Sequence, residues 1–359
     1  LQRGLDMNIL ILGGTGAMGV PLVKLLAEKN DNNIYVTTRS KRDNKGNVTY
    51  IQGNAREEEF FLSLMEKTYD VIVDFMVYST DQFEKRLPVF LDKTKQYFFF
   101  SSSRCYANSD TAIKESSLRL VDACTDETYL ATDEYGLAKG REENLLFESD
   151  KKNWTIIRPY ITYNSYRIQL GVYEKENWLK RALEGRTIVF PKDIADSRTS
   201  LTYGPDVARM LVKLIGNEKA YGEAFHITTE ENHTWREILE FYCRKIKEKT
   251  GKEIKVKYVN DSKGLQKVWN PWQIRYDRLY DRVFDNSKIE SVCGKCEYKS
   301  TFDGLGECLD EFLENPKWLY GNIKYEAWCD KQTKEIAKLN KILGKKDKLR
   351  YLKWRFLKN

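Results

Sequence analysis

The run Met7-Asn8-Ile9-Leu10-Ile11-Leu12-Gly13-Gly14-Thr15-Gly16-Ala17-Met18-Gly19 limits what this chain can become. An apolar stretch of strand length stops at glycines, and residues 21–27 then take up helical spacing, so the segment reads as strand, tight turn and helix. A dinucleotide-binding α/β fold begins in this way. Without a Cβ, Gly13 and Gly14 can make the turn, Gly16 lets backbone approach a pyrophosphate, and Gly19 lets the helix pack on the strand. The N–H groups at the helix start attract phosphate, which makes Gly13, Thr15, Gly16, Ala17, Met18 and Gly19 the expected phosphate-facing set. The competing reading is a flavodoxin-like turn without a ligand.

Further strands follow in the order a parallel sheet needs. Residues 33–38 form the second, and its end carries Thr38-Arg39-Ser40 where an NAD-binding fold would place an acid for the ribose 2′-hydroxyl. A guanidinium and hydroxyls suit a 2′-phosphate, so NADP is favoured over NAD; the alternative is a solvated basic turn in which Asp43 or backbone holds the ribose. Residues 48–52 give a third strand, followed by Asn54 and Ala55 where an adenine could rest. Residues 70–76 give a fourth, ending in Phe75 and Met76, whose continuous apolar character fits a parallel strand covered on both faces. Residues 96–100 give a fifth, which runs into Ser101-Ser102-Ser103-Arg104 at the carboxyl end, where open α/β sheets bind ligands.

Tyr135 and Lys139, four apart at the head of a helix reaching about Glu148, share one helical face. A glycine-rich first turn, a serine-rich end to the fifth strand and a Tyr-x-x-x-Lys helix, in this order, resemble the extended short-chain dehydrogenase/reductases, the NAD(P)-dependent sugar-nucleotide epimerases and their relatives. The resemblance covers roughly residues 7–325. Residues 154–160, with Pro159 and Tyr160, look like the family's sixth strand, which ends beside the nicotinamide. Arg198 through Asp206 looks like its substrate-contacting arginine segment, residues 225–227 like the last sheet strand, and residues 284–289 and 301–305 like helices of a small substrate domain. Ile161 stands where many epimerases have a substrate-binding Asn, and an extra residue separates Arg198 from Asp206, so substrate contacts carry over poorly.

The resemblance implies a proton-transfer set of Ser102, Tyr135 and Lys139. A tyrosine with an ordinary pKa near ~10 needs positive charge to act as a base at neutral pH. Lys139 and an oxidised nicotinamide would supply it, and Lys139 would also hold the nicotinamide ribose. Tyr135 would take a proton from a sugar hydroxyl as hydride leaves the same carbon. Counting back four from Tyr106 selects Ser102 to orient the substrate oxygen, with Ser103 the runner-up. Ser101 would lie against the cofactor, and Ser103, Arg104 and Arg198 against the substrate. Dehydratases of the family resemble Thr-Asp-Glu where this chain has Ser102-Ser103-Arg104, so a nucleotide-sugar epimerase or reductase is expected; the residues do not separate these two. The competing class is a non-catalytic dinucleotide-binding regulator or RNA-binding protein, against which the intact Ser102, Tyr135 and Lys139 argue.

The expected architecture is a doubly wound parallel-sheet Rossmann fold over residues 7–165 with returns near 200–230. A smaller substrate domain from residues 166–199 and 231–325 and a basic helical tail over 326–359 complete it. The net charge of +7 is uneven: residues 331–359 carry +9, leaving −2 elsewhere, which argues against nucleic acid as a partner of the body. In the tail Ile336, Leu339, Ile342, Leu343, Leu349, Leu352 and Phe356 recur at helical spacing among lysines, predicting one or two amphipathic helices broken near Gly344. Such helices either pack on the body or a second subunit, giving a homodimer, or lie on an anionic inner membrane face. Apolar runs are otherwise strand-sized, seven scattered cysteines suit reduced thiols, and a cytoplasmic protein is expected. Cys293 and Cys296 lack a second pair and the chain has two histidines, so no metal is expected; His226, in an apolar strand, reads as a core residue. Trp269 and Trp272 read as packing or as pocket lining, and residues 1–6 are given no structural role.

Overall fold

In the computed structural model, which describes residues 7–29, 31–295, 297–342 and 344–357, strand β1 (Asn8–Leu12) is covered on both faces. Ile9 and Ile11 join one apolar layer while Leu10 and Leu12 join the other, the alternation that a strand imposes. Six further strands lie parallel with it: β2 (Asn33–Thr38), β3 (Val48–Gln52), β4 (Tyr69–Asp74), β5 (Thr94–Phe100), β6 (Trp154–Pro159) and β7 (Glu223–Ile227). Their spatial order is β7-β6-β5-β4-β1-β2-β3, every pairing parallel. The chain runs outward from β1 through β2 to β3 and then returns across β1 to β4, so the order reverses between β1 and β4. That crevice, at the carboxyl ends of the two strands, is where such sheets bind ligands.

Helix α1 (Gly19–Ala27) begins two residues earlier than its apolar spacing suggested, since Pro21 is tolerated in a first turn where N–H groups have no helical partner. Helix α2 (Thr80–Lys93) starts at a capping box between Ser79 and Gln82. Helix α3 (Tyr135–Glu148) has the expected bounds, and α4 (Gly204–Leu214) follows the arginine segment. Leu22, Leu26, Val207 and Leu211 from α1 and α4 pack in the layer of Ile9 and Ile11; Phe83, Phe90 and Leu146 from α2 and α3 pack in the layer of Leu10 and Leu12. Helices thus cover both faces of the parallel sheet, the doubly wound arrangement.

The chain divides into two compact units. The first holds the sheet and comprises Leu1–Thr162, Ser200–Glu230 and Phe284–Lys299; the second comprises Tyr163–Thr199, Glu231–Val283 and Ser300–Asn359. Residues 284–299, expected in the substrate domain, belong instead with the sheet. Phe284 bridges to Ile113, Asn286 Nδ2 donates to the Thr228 carbonyl at 2.8 Å, and Ile289 of helix α5 (Ser287–Cys293) is buried in the β1 layer. Residues 1–6 lie outside the described residues.

The second unit contains two small two-stranded sheets and longer helices at Trp235–Thr250, Thr301–Glu314 and Ile323–Thr333. The tail is part of this unit rather than a separate segment. After Ile323–Thr333 a 3-10 turn, Leu339–Lys341, is the one helical element among the described residues before Gly344, whose positive φ of 82° opens the helix Lys345–Leu352. Ile342 and Tyr351 are buried with Ala327 and Ala337, and Leu352 and Trp354 pack on them, while Ile336, Leu349 and Phe356 are exposed; Leu343 lies outside the described residues. The apolar spacing of the tail is therefore used half for packing and half on the surface.

Candidate active site

The turn after β1 has the backbone shape that a phosphate site needs. Gly13 adopts φ +71°, disfavoured for residues with a Cβ, and its N–H is received by Thr37 Oγ1 at 3.0 Å. A Cβ on Gly19 would lie 2.6 Å from the Gly14 backbone, so only glycine lets α1 close on the turn. At Gly16, by contrast, a Cβ would meet nothing within 4 Å, and Thr15 and Gly16 are exposed. The turn is closed on the protein side and open on the other, with Ala17 and Met18 leading into the helix start, an arrangement that fits the pyrophosphate of a dinucleotide.

At the end of β2, Thr38 Oγ1 donates to the Ser40 carbonyl at 2.9 Å and shapes the turn that leaves Arg39 and Ser40 exposed. Asn54 is turned inward on its own loop, its Nδ2 donating to Glu57 at 3.1 Å, and Ala55 is buried with its carbonyl accepting from Arg86 at 2.7 Å. β4 ends at Asp74, two residues short of expectation, because the Asp74 carboxylate accepts the Met76 N–H at 2.9 Å and bends the chain out of the ladder. Phe75 and Met76 then close on the turn: a Cβ on Gly13 would lie 3.0 Å from Met76 Sδ and 3.7 Å from Phe75 Cβ.

The three serines at the end of β5 separate into distinct roles. Ser101 Oγ donates to Glu143 at 2.5 Å, and Ser103 Oγ, fully buried, donates to the Arg158 carbonyl at 2.8 Å. Ser103 is thus removed from the site and its proposed substrate contact is corrected; the Ser101 hydroxyl is likewise committed internally. Ser102 Oγ only accepts, from the Arg104 N–H at 3.2 Å, and its own proton has no acceptor among the described residues. Tyr135, half-buried, opens α3; Lys139 Nζ lies 6.0 Å from its ring centroid and the Arg104 guanidinium 5.1 Å from it. Arg104 is held there by Glu134 at 2.7 Å, whose carboxylate also caps α3 through the Gly136 N–H at 3.0 Å.

Behind this pair lies a buried cluster that the motifs did not announce. Lys139, 1% exposed, donates to Glu142, 0% exposed, at 2.8 Å, and its ammonium sits 4.5 Å over the Phe99 ring. Glu142 Oε1 has no hydrogen-bond partner among the described residues. Burial pushes the Glu142 carboxyl up to about 7, against the pull of Lys139. Asp74, fully buried, accepts from the Tyr97 hydroxyl at 2.9 Å and the Tyr78 hydroxyl at 3.3 Å, and burial pushes it up to about 6 although Lys139 draws it down. The neighbouring Glu143 is equally buried but comes out below the usual carboxylate range: burial is outweighed by Arg158, which grips it with two bonds of 2.8 and 2.7 Å, by Ser101 and by Arg119. The one sequence signal for Glu142 is an acid three residues after Lys139, a spacing that allows the pair without requiring it.

Pro159 ends β6 and Tyr160 is buried against Phe284. Arg198 falls in the second unit, where its Nε donates to Asn232 Oδ1 at 2.6 Å. His226 is buried with Nε2 2.8 Å from the Asp285 carbonyl and Nδ1 3.4 Å from the Tyr106 hydroxyl, and burial keeps it below the usual histidine range. Trp269 packs edge-on against Tyr173 and Tyr325, a hydrophobic seam, whereas Trp272 stacks with Tyr276. Cys293 ends α5 and is half-buried, and Cys296 lies outside the described residues. Among those residues no helix is long and apolar enough to cross a membrane.

No family model matches the chain. It is 27% identical over 248 residues to the chloroplast stem-loop binding protein of 41 kDa b of Arabidopsis thaliana; the match covers 64% of this chain and spans 61% of the length of that relative. Solved structures superpose over most of its length. WbmH of Bordetella bronchiseptica, in complex with NAD+, matches with a TM-score of 0.66 at 14% identity over 87% of this chain and 100% of its own. The dTDP-glucose 4,6-dehydratase of Bacillus anthracis, in complex with NAD, matches at 0.66 and 18% over 87% and 98%. The UDP-N-acetylglucosamine 4-epimerase of Methanobrevibacter ruminantium matches at 0.66 and 17% over 87% and 99%. The chain has the fold of these proteins, a Rossmann-type α/β fold, as the motifs implied.

Proposed function

We propose that this chain is an NAD(P)-dependent epimerase or reductase acting on a nucleotide-linked sugar. The observation that carries the reading is the coincidence at one strand end of an uncommitted Ser102 hydroxyl, a half-buried Tyr135 phenol and a Lys139 ammonium beside its ring. The shared fold with a dehydratase and an epimerase supports it. Residues 13–19 and Arg39 with Ser40 would hold the dinucleotide, with NADP favoured by Arg39. A bound nicotinamide would accept and return hydride at a sugar carbon. Ser102 orients the hydroxyl on that carbon, and Tyr135 Oη takes its proton and gives it back. Lys139 and Arg104 bring cations to within 6.0 and 5.1 Å of the ring centroid. Incubation with a panel of nucleotide sugars and NAD or NADP, with products identified by mass spectrometry, tests this. Conversion by the wild type but not by Tyr135→Phe supports the reading, and dinucleotide binding without conversion of any sugar counts against it.

A second reading has the plant stem-loop binding relative in its favour: a dinucleotide-binding fold used to bind RNA. The retained Ser102, Tyr135 and Lys139 weigh against it, since a binding protein has no need of a proton-transfer set. Filter binding with a stem-loop RNA, at low and physiological salt, separates the two readings.

A further inference from the structure

We infer that Glu142 is a positioning residue for Lys139, holding its ammonium until a bound dinucleotide draws it away, so that binding the dinucleotide loads a proton onto the Glu142 carboxylate. This rests on the dinucleotide-binding part of the function proposed above. The geometry is specific. Lys139 is almost wholly buried, its one short partner among the described residues is Glu142 at 2.8 Å, and the Tyr135 ring that it must serve is 6.0 Å away. The carboxylate has one oxygen on Lys139 and the other without a partner, so nothing else among the described residues compensates its charge. Any ribose hydroxyl that pulls the ammonium toward Tyr135 leaves a buried carboxylate alone, and such a group takes up a proton rather than stay charged.

The surroundings favour the same exchange. Burial already pushes Glu142 up to about 7, where a modest change in its partner decides its state. The charged and titratable groups that face it are Lys139 and Asp133 from its own end of the chain, Asp74 at the end of β4, and Tyr97 on β5. Asp133 is tied to Thr80 and Arg141 and held low, burial notwithstanding. Tyr97 is pushed up by burial and stays neutral while donating to Asp74. Asp74 is the rival acceptor of the proton, but both its oxygens already accept hydrogen bonds, from Tyr97, Tyr78 and the Met76 N–H. Glu142 has the vacant oxygen.

Calorimetric titration of the full chain with NADPH, in buffers of low and high ionisation enthalpy, reads the proton directly. The wild type is expected to take up about half a proton per dinucleotide at pH 7, and its affinity to fall about tenfold between pH 6 and pH 8. Glu142→Gln, checked for folding by circular dichroism, is expected to take up none and to bind with flat pH dependence. Wild-type binding without proton uptake overturns the inference whatever the variant does. Undiminished uptake in Glu142→Gln assigns the proton to Asp74 and overturns it as well. If neither NADPH nor NADH binds, the proposed function fails first and carries this inference with it.

Discussion

Two buried ionic clusters in this molecule, around Arg181 and around Lys139, differ in how many partners the central cation has. In the second unit Arg181, 1% exposed, spends its whole guanidinium: Nε on the Thr187 carbonyl at 2.6 Å, one terminal nitrogen on Glu326 at 3.1 Å, the other on Asp330 at 2.8 Å and Glu335 at 2.7 Å. Asp330 receives Arg186 and the Tyr351 hydroxyl besides, and lies below the usual carboxylate range although burial alone would raise it. In the first unit Lys139 faces two buried carboxylates, one of them with a vacant oxygen, and both are raised. Glu143, adjacent to Glu142 on α3, is paired in the manner of Asp330 rather than of Glu142. Arg181 and Asp330 are answered at nearly every atom, whereas the Arg186 Nε beside them and Glu142 Oε1 have no partner among the described residues, and burial raises Glu326 as it raises Glu142.

The contrast is broken most severely by removing the hub of the saturated cluster. Arg181→Leu leaves Asp330, Glu326 and Glu335 with Arg186 as their remaining cation, and is expected to cost about 3–5 kcal/mol in urea unfolding. A truncation ending at Cys329 should act the same way, because it removes Asp330, Glu335 and the buried Tyr351 together. A stable truncated protein would show that the tail is ornamental to the second unit.

Glu142→Gln should behave in the opposite sense. The folded carboxyl titrates near 7 against an ordinary 4.5, so its contribution to stability is complete below pH 4.5 and is lost as pH rises through 7. The difference in unfolding free energy between variant and wild type should therefore shift in favour of the variant by ~3 kcal/mol at most between pH 4.5 and pH 8. A pH-independent difference would place Glu142 among the saturated groups.

Local signals carried much of this structure. The second and third strands, and the helix bearing Tyr135 and Lys139, fall where their β-branched runs and helical spacing put them, because those preferences act over a few residues. What escaped the sequence depends on partners far along the chain. Residues 284–299 join the sheet unit through Asn286 and Thr228, 58 positions apart, and Ser103 is lost to the site through a carbonyl 55 positions on. Nor does spacing say that Lys139 turns its ammonium to Glu142 and the Phe99 ring, since that choice is made by what the fifth strand presents beneath the helix.

Tyr135→Phe sharpens the comparison from the catalytic side. It removes one hydroxyl of a half-buried residue and no buried charge, so turnover should drop by ~100-fold or more while unfolding and dinucleotide affinity stay near wild type. Measured kcat within a few-fold of wild type would remove Tyr135 from the chemistry. A large loss of stability would place it with the structural groups instead.

The smallest effect is expected at Arg39, a cation of a third kind, neither buried nor paired. It is exposed at the end of β2 and has no ion pair among the described residues, while the turn that carries it is fixed by Thr38 on the Ser40 carbonyl. An exposed guanidinium on an organised turn loses little water until an anion arrives, and then gains charge-assisted hydrogen bonds that a ribose hydroxyl cannot provide. NADPH should accordingly bind about tenfold more tightly than NADH at low salt, a gap that narrows as salt screens the exposed charge. Arg39→Asp should reverse the order, since a carboxylate accepts from the 2′-hydroxyl and repels the phosphate. Calorimetric titration of both dinucleotides into both proteins decides it. Tighter NADH binding by the unaltered chain would mean that Arg39 is surface charge, with no part in choosing the cofactor.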